Sequence, residues 1–236
     1  MKGGVIAIDG PSASGKSTTA RAVAEALGFA HLDSGSLYRG ITLVGIRETA
    51  RRGRDGDDPL TALGPEAILR AAEDRGLMLQ PDGAGFAAYL EGEFVDQALR
   101  GPEVTARVSA VSAVPVIREW INSRLRAMVR AGRDVVVDGR DIGTVVFPDA
   151  ELKIFLTASA EARAGRRIHQ RGDSVEPGGV ETEAAALAAR DQADSTRAVA
   201  PLRAAPDAVP LDTTVMSFAD QVRFIVELAR PIFGPR

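Results

Sequence analysis

The stretch Gly10-Pro-Ser-Ala-Ser-Gly-Lys-Ser-Thr18 decides the fold of this chain. It matches the pattern G-x-x-x-x-G-K-[ST], and it lies between an apolar run, Val5–Ile8, and a helical pattern that begins near Lys16. A strand, a glycine loop and a helix in that order form a phosphate-binding loop, because the glycines let successive backbone N–H groups approach an anion and the helix N-terminus faces that anion with its positive end. We therefore expect this loop to bind a nucleoside triphosphate. Lys16 would reach the β- and γ-phosphates, and Ser17 would offer a hydroxyl to Mg²⁺.

The composition is that of a globular protein and excludes several kinds of site. The chain has 236 residues, 45% hydrophobic and 26% charged, which predicts one large domain or a core with one inserted piece. It has no cysteine and only two histidines, so a disulfide, a thiolate nucleophile and a zinc cluster are not expected. The net charge of −3 argues against a nucleic-acid partner, and no apolar run has the ~18 residues of a membrane span. We expect a cytoplasmic monomer.

Strands and helices alternate along most of the chain, which predicts a parallel sheet covered on both faces. The predicted strands are Val5–Ile8, Phe29–Leu32, Arg133–Asp138, Leu152–Leu156 and Ala208–Leu211. The predicted helices cover 17–27, a segment from Ser36, 66–75, two segments from Pro102 with a break before Pro115, the 160s, 181–193 and 218–228. Between residues 76 and 100 the pattern changes to three short strands separated by turn residues, which indicates a small antiparallel β insertion.

Polar residues follow three of the predicted strands. Asp9-Gly10, Asp33-Ser34 and Asp138–Asp141 all lie at carboxyl ends, where ligands of parallel sheets bind. The arginines of the chain favour phosphoryl transfer between two bound anions. A phosphate acceptor needs no general base, since a phosphate monoester with a second pKa of about 6 is mostly dianionic at pH 7.

The motif alone leaves other functions open. A kinase for a small hydroxylated metabolite would need a carboxylate base, for which Asp33 and Asp141 are the candidates. A nucleotide-sensing module would bind without turnover. A switch GTPase is disfavoured, because none of the lysines follows an asparagine as guanine recognition by Asn-Lys-x-Asp requires.

Four blocks of sequence resemble the bacterial cytidylate kinase family. They are Ile8-Asp-Gly-Pro-Ser-x-Ser-Gly-Lys16, Leu32-Asp-Ser-Gly-Ser-Leu-Tyr-Arg39, Asp138-Gly-Arg-Asp-Ile-Gly-Thr-Val-Val-Phe-Pro148 and Arg197-Ala-Val-Ala-Pro-Leu202. The resemblance runs from about Val5 to Leu228. It implies an α/β P-loop nucleoside monophosphate kinase fold with a parallel five-stranded sheet and helices on both faces. The implied domain is single, with a core of 1–60 and 102–236, the β insertion at about 76–100 and a lid at about 163–183. The implied reaction converts ATP and CMP or dCMP into ADP and CDP or dCDP with Mg²⁺.

The resemblance also implies a role for individual residues. Those that would read cytosine are Ser34, Ser109, Arg118 and Asp141, and a carboxylate suits the N4 amino group that uracil lacks. Those that would hold the ribose are Asp194 and Arg197, and those that would grip the acceptor phosphate are Arg39, Arg140 and Arg190. ATP would be bound by Gly10, Pro11, Ser12, Ala13, Ser14, Gly15, Lys16, Ser17 and Thr18, together with the lid arginines Arg163, Arg166, Arg167 and Arg171. The implied catalytic set is Lys16, Arg140, Arg171 and Arg190, and Asp138 would hold Mg²⁺ through water. The segment from Gln170 to Glu183 departs from the lysine- and glutamate-richer lids of the family.

Overall fold

The computed structural model describes residues 3–83, 85–130, 132–171 and 178–234. The first half of the chain contains β1 (Val5–Asp9), α1 (Lys16–Leu27), β2 (Ala30–Asp33), α2 (Ser34–Arg51), α3 (Pro59–Leu63), α4 (Pro65–Asp74), β3 (Met78–Asp82), β4 (Gly85–Leu90), β5 (Glu93–Phe94), α5 (Asp96–Leu99), α6 (Pro102–Ala113) and α7 (Pro115–Arg130). The second half contains β6 (Val135–Gly139), a π-helical turn (Ile142–Val146), β7 (Leu152–Thr157), α8 (Ala160–Arg171), α9 (Gly179–Thr196), β8 (Val209–Asp212) and α10 (Phe218–Phe233).

The chain divides into two compact units. The first comprises the residues up to Leu32 and those from Met128 onward, and the second comprises Asp33–Ala127. Residues 33–60 and 102–127, which the sequence assigned to the core, are therefore grouped with the predicted β insertion.

The first unit contains the parallel sheet, in the strand order β2-β6-β1-β7-β8. β1 pairs in parallel with β6 and with β7, and β7 pairs in parallel with β8. All residues of β1 and β6 are buried, which requires cover on both faces of the sheet. Parallel pairing brings the carboxyl ends of β1 and β6 to the same edge, where Asp9 is in register with Gly139.

The core of the first unit lies between the sheet and two helices. Apolar side chains of β1, β6, β7 and β8 pack against Ala20 and Val23 of α1 and against Ile225 and Ala229 of α10. Each of these helices has its buried residues at helical spacing, so one face of each covers the strands. This packing fixes the start of α1, and with it the loop that precedes the helix.

The second unit is mostly helical and carries the β insertion. β3 pairs with β4, and β4 with β5, both antiparallel, as the alternating pattern of residues 76–100 predicts. Together with the strands of the first unit they bring the described chain to eight strands.

Several boundaries differ from those predicted. α2 begins at Ser34 rather than Ser36, because the carboxylate of Asp33 caps the helix by accepting the backbone N–H of Gly35 at 2.8 Å and the hydroxyl of Ser36 at 3.0 Å. α9 and α10 extend beyond their predicted ends at Ala193 and Leu228. The π-helical turn was not predicted. Among the described helices, none combines the length and the apolar character that a membrane crossing requires.

Candidate active site

The loop between β1 and α1 has the backbone conformation of a phosphate-binding loop. Gly15 has φ 97°, and Ala13 adopts a left-handed conformation with φ 58° although it carries a side chain. At Gly10 a Cβ atom would lie 2.0 Å from the carbonyl oxygen of Leu156 on β7. Glycine is therefore required at this position by close contact with the neighbouring strand.

Lys16 is a buried cation at the start of α1. Its side chain is 6% exposed, and its Nζ donates to the carbonyl oxygen of Pro11 at 2.6 Å and to the hydroxyl of Ser14 at 3.4 Å. Burial, followed by the charge of Arg140, lowers the pKa of the amine from 10.5 to about 7, against the attraction of Asp138 and Asp9. A bound phosphate would restore the charge that burial disfavours.

Ser17 and Asp138 form the predicted cation-binding pair. The hydroxyl of Ser17 donates to Oδ2 of Asp138 at 2.6 Å, and Oδ1 of Asp138 lies 2.7 Å from Nε2 of His31. Burial acts to raise the pKa of Asp138, but the hydrogen bonds from His31 and Ser17 and the charge of Lys16 outweigh it and hold that pKa below its usual value. The carboxylate is therefore ionised.

The oxygen donors of this pair fit Mg²⁺. The ion keeps several waters and needs few protein ligands when nucleotide phosphates supply the others. The described residues contain no group of three or more acidic or histidine side chains placed to hold a metal by themselves, so a cation here would depend on the nucleotide.

Arg140 and Asp194 are brought together beside the loop. Arg140 donates from Nε to Oδ2 of Asp194 at 3.0 Å and from Nη2 to the hydroxyl of Ser12 at 2.9 Å. Arg197 lies just beyond the end of α9, with Nη1 3.9 Å from Oδ1 of Asp194 and Nη2 3.5 Å from Oδ1 of Asp141. Asp194 thus bridges two predicted ligand-binding arginines, and Arg197 connects it to the predicted base-reading carboxylate.

Arg190 is a second cation close to Arg140. Burial and then the charge of Arg140 lower the pKa of its guanidinium. Its Nε is buried, and among the described residues it has no hydrogen-bond partner. A donor of this kind, next to another arginine, favours an anion between the two.

The lid arginines differ in what they contact. Arg163 donates to the carbonyl oxygen of Ser12 at 3.0 Å and to the carboxylate of Asp191 on α9. Arg166 donates to the carbonyl oxygen of Ser14 at 3.0 Å and to that of Thr213 at 2.6 Å. Both therefore support the loop, and their predicted contacts with ATP stay predictions.

Two further predictions concern the rest of the lid. Arg167 donates to the side chain of Gln170 at 3.2 Å, one turn further along α8. Arg171 ends α8, and its side chain and residues 172–177 lie outside the described residues.

The second unit holds the remaining predicted residues. Arg39 donates from Nη1 to the carbonyl oxygen of Leu99 at 3.0 Å and to the hydroxyl of Thr105 on α6 at 3.1 Å. Arg118 is buried, donates to the carbonyl oxygen of Ser112 at 3.0 Å and lies 5.4 Å from the ring centre of Tyr38. Two predicted cytosine-reading residues, Ser34 at the buried start of α2 and Ser109 on α6, belong to the same unit.

The sequence did not predict the contacts that three further residues make in the site. Asp9 accepts the backbone N–H groups of Ile142 at 2.8 Å and Gly143 at 2.7 Å, and so holds the turn that follows Asp141. Asp191 supports the phosphate-binding loop, and His31 contacts Asp138. Only Asp9 had a sequence signal, its place at the end of the first strand.

Comparison with known proteins agrees with this arrangement. The family model described as Cytidylate kinase matches residues 6–231. A cytidylate kinase of Mycolicibacterium paratuberculosis is 45% identical over 228 residues, which cover 96% of this chain and 95% of that protein. A cytidylate kinase of Geobacillus kaustophilus is 41% identical over 229 residues, covering 97% of each. The resemblance seen in the four sequence blocks is thereby confirmed, and the chain belongs to the cytidylate kinase family.

Proposed function

We propose that this protein transfers the γ-phosphoryl group of ATP to CMP and dCMP. An oxygen of the acceptor phosphate attacks the γ-phosphorus, and the bond between that phosphorus and the oxygen bridging to the β-phosphate breaks. The products are CDP or dCDP and ADP. The family match over residues 6–231 is the observation that carries the proposal.

The electrostatics of the first unit support an anion-transfer site. Lys16 and Arg190 both have lowered pKa values because burial and the charge of Arg140 disfavour their protonated forms. Two phosphate groups would relieve this repulsion, since each brings negative charge to a region where positive groups are already fixed. The positive groups that repel one another in the free protein would thus attract the phosphates of both substrates.

Mg²⁺ would be held by the hydroxyl of Ser17, with Asp138 acting through water. Bound there with the nucleotide, the ion would neutralise charge on the transferring phosphoryl group. The protein itself must orient the hydroxyl of Ser17. Asp138 does this by accepting the hydroxyl hydrogen, with an oxygen–oxygen distance of 2.6 Å.

The acceptor chemistry removes the need for a general base. A dianionic phosphate is already a competent nucleophile near pH 7. Asp33, a candidate base for a hydroxyl acceptor, has the structural task of capping α2 through Gly35 and Ser36. Of the two candidate bases, this leaves Asp141 as the carboxylate that a hydroxylated acceptor would need.

Coupled measurement of ADP production with CMP, dCMP, UMP and AMP, each with ATP and Mg²⁺, tests the proposal. We expect rapid turnover with CMP and dCMP and much slower turnover with UMP and AMP. Equal rates with all four monophosphates would refute the cytosine preference while leaving phosphoryl transfer in place.

The variant Lys16→Ala separates an enzyme from a nucleotide sensor. In an enzyme the substitution abolishes a transfer rate that the unaltered chain possesses, whereas a sensor has no such rate to lose. Thermal unfolding of the variant serves as the control for folding. We further propose that the protein acts as a cytoplasmic monomer on free nucleotides, which light scattering would test for the oligomeric state.

A further inference from the structure

Hydrogen bonds connect three side chains from Ser17, which is exposed at the start of α1, to the buried Asp138 and His31 in the sheet. Ser17 Oγ donates to Oδ2 of Asp138 at 2.6 Å, and Nε2 of His31 lies 2.7 Å from Oδ1 of the same carboxylate. Asp138 is 2% exposed and His31 is 3% exposed. These two contacts link α1, β6 and β2, which are separate in sequence.

The direction of these hydrogen bonds follows from the charge of Asp138. An ionised carboxylate only accepts, so the ring nitrogen that faces it must carry the hydrogen. His31 is therefore a donor to Oδ1, and Ser17 is a donor to Oδ2. Because Ser17 donates its one hydroxyl hydrogen to Asp138, both lone pairs of its oxygen can face a cation.

Without His31 the orientation of Asp138 would be less constrained. A buried carboxylate oxygen that loses a donor seeks another, and rotation of the carboxylate would withdraw Oδ2 from Ser17. The ring of His31 lies in a buried environment that restricts its own rotation, so it can hold Oδ1 in one place.

We propose that His31 is a positioning residue for the magnesium-bound nucleotide, acting through Asp138 on the hydroxyl of Ser17. This inference rests on the proposed binding of a magnesium nucleotide, and it assigns to His31 a role beyond filling the core. Residues one step removed from a metal's own ligands change metal affinity by about 10- to 100-fold when they are replaced. His31 is one step further from Ser17 than Asp138 is, so we expect an effect at the lower end of that range.

The test compares ADP binding with and without Mg²⁺, measured by titration calorimetry without any acceptor. In His31→Leu, which removes the donor, we expect the gain in ADP affinity that Mg²⁺ provides to fall about 10-fold. Metal-free ADP affinity should stay within about 2-fold, because the loop backbone and Lys16 do not depend on the histidine. In His31→Gln the side-chain amide N–H can replace the ring N–H, so the magnesium gain should be largely restored.

The matched control is His169→Gln, since His169 is exposed on α8 and is the other histidine of the chain. It should leave the magnesium gain unchanged. If His31→Leu does not fold, His31→Asn takes its place, because its shorter amide cannot reach Oδ1, and it should show the same loss relative to His31→Gln.

A folded variant without the donor that keeps the full magnesium gain would overturn the proposal, as would an equal loss in His31→Gln. The measurement uses only ADP and Mg²⁺. A failure of the CMP preference in the monophosphate panel would therefore leave its outcome unaffected.

Discussion

The carboxylate of Asp191 accepts the backbone N–H of Ser12 at 2.8 Å, which fastens α9 to the phosphate-binding loop. The other oxygen of Asp191 accepts from Arg163 on α8, and Arg163 also donates to the carbonyl oxygen of Ser12 at 3.0 Å. Both the N–H and the C=O of one loop residue are thus held by a single ion pair. Arg190 and Asp194 are close to Asp191 in sequence on α9. The ion pair of Arg163 with Asp191 therefore also helps to fix the positions of these two side chains relative to the loop.

A double-mutant cycle measures this coupling. Asp191→Ala and Arg163→Ala should each destabilise the protein, because each leaves a largely buried charge without its partner. The double variant should recover part of the loss, giving a coupling free energy of about 1–3 kcal/mol in urea unfolding. Exact additivity of the two single effects would show that the pair is not a unit. The exposed pair of Arg223 and Asp220 is the matched control, with an expected coupling below about 1 kcal/mol.

Nucleotide binding should take up a proton at pH 8. In the free protein Lys16 has a pKa of about 7, so its amine is mostly neutral at that pH. Phosphates beside the amine raise its pKa, and by linkage the complex binds close to one proton more than the free protein. Calorimetry of Mg·ADP binding in two buffers with different ionisation enthalpies measures the uptake. Proton release at pH 8, or no exchange, would contradict the low pKa.

The stability of the protein should depend on Asp9 at mildly acid pH. Burial raises the pKa of this carboxyl from 3.8 to about 6, although the N–H groups of Gly143 and Ile142 act in the opposite direction. A raised pKa means that the neutral form is favoured in the folded state. The contribution of Asp9 is therefore complete below pH 3.8 and is lost as the pH rises through about 6.

Measurement requires the variant Asp9→Asn, which does not titrate. The unfolding free energy of the unaltered protein relative to this variant should fall by up to about 3 kcal/mol across that window. A difference that stays flat with pH for Asp9→Asn would refute the raised pKa.

Two glycine substitutions separate close contact from backbone strain. In Gly10→Ala the new methyl group meets the carbonyl oxygen of Leu156, so we expect a loss of about 3 kcal/mol or more. Gly28 has φ 69°, and an added methyl group there would meet no atom within 4 Å, so Gly28→Ala should cost only about 1–2 kcal/mol. Thermal unfolding of the two variants measures the two losses of stability. Similar losses would mean that the contact at Gly10 relaxes at little cost.

Asp141→Ala should reduce the preference for CMP over UMP. Loss of one base-reading contact is worth about 1–3 kcal/mol, or about 5- to 150-fold in the ratio of the two kcat/KM values. The exposed Asp149→Ala is the control, and it should leave the ratio unchanged. An unaltered ratio in Asp141→Ala would assign that carboxylate to its contact with Arg197 instead.

The phosphate-binding loop and its surroundings were predictable because strand, loop and helix are contiguous in sequence. The contact of Ser17 with Asp138 follows from the parallel pairing of β1 with β6. The alternation of strands and helices predicted a parallel sheet, whose carboxyl ends share one edge, but not which strands are neighbours. Two of the three roles that were not predicted, those of Asp191 and His31, depend on contacts between distant elements. An aspartate in an alanine-rich helix and a histidine in a short strand carry no local signal of what they will meet.

Local chemistry explains the remaining differences. Asp33, Ser34 and Gly35 look like a turn in sequence, since these residue types favour turns and helix caps alike. The π-helical turn after Asp141 has no residue period of its own, and in the structure it is stabilised from a distance by the carboxylate of Asp9. Such a feature cannot be found without the partner strand.

The scarcity of lysine makes selective covalent modification of one amine in this protein feasible. Lys16 and Lys153 are the lysines of the described residues, and they are only 6% and 7% exposed. An amine that is uncharged near neutral pH is a far better nucleophile toward acylating reagents than a protonated one, and Lys16 meets that condition. A small electrophile without phosphate groups, which would leave the amine uncharged, would thus meet a reactive amine at the loop, so this protein is suited to covalent inhibitors directed at lysine.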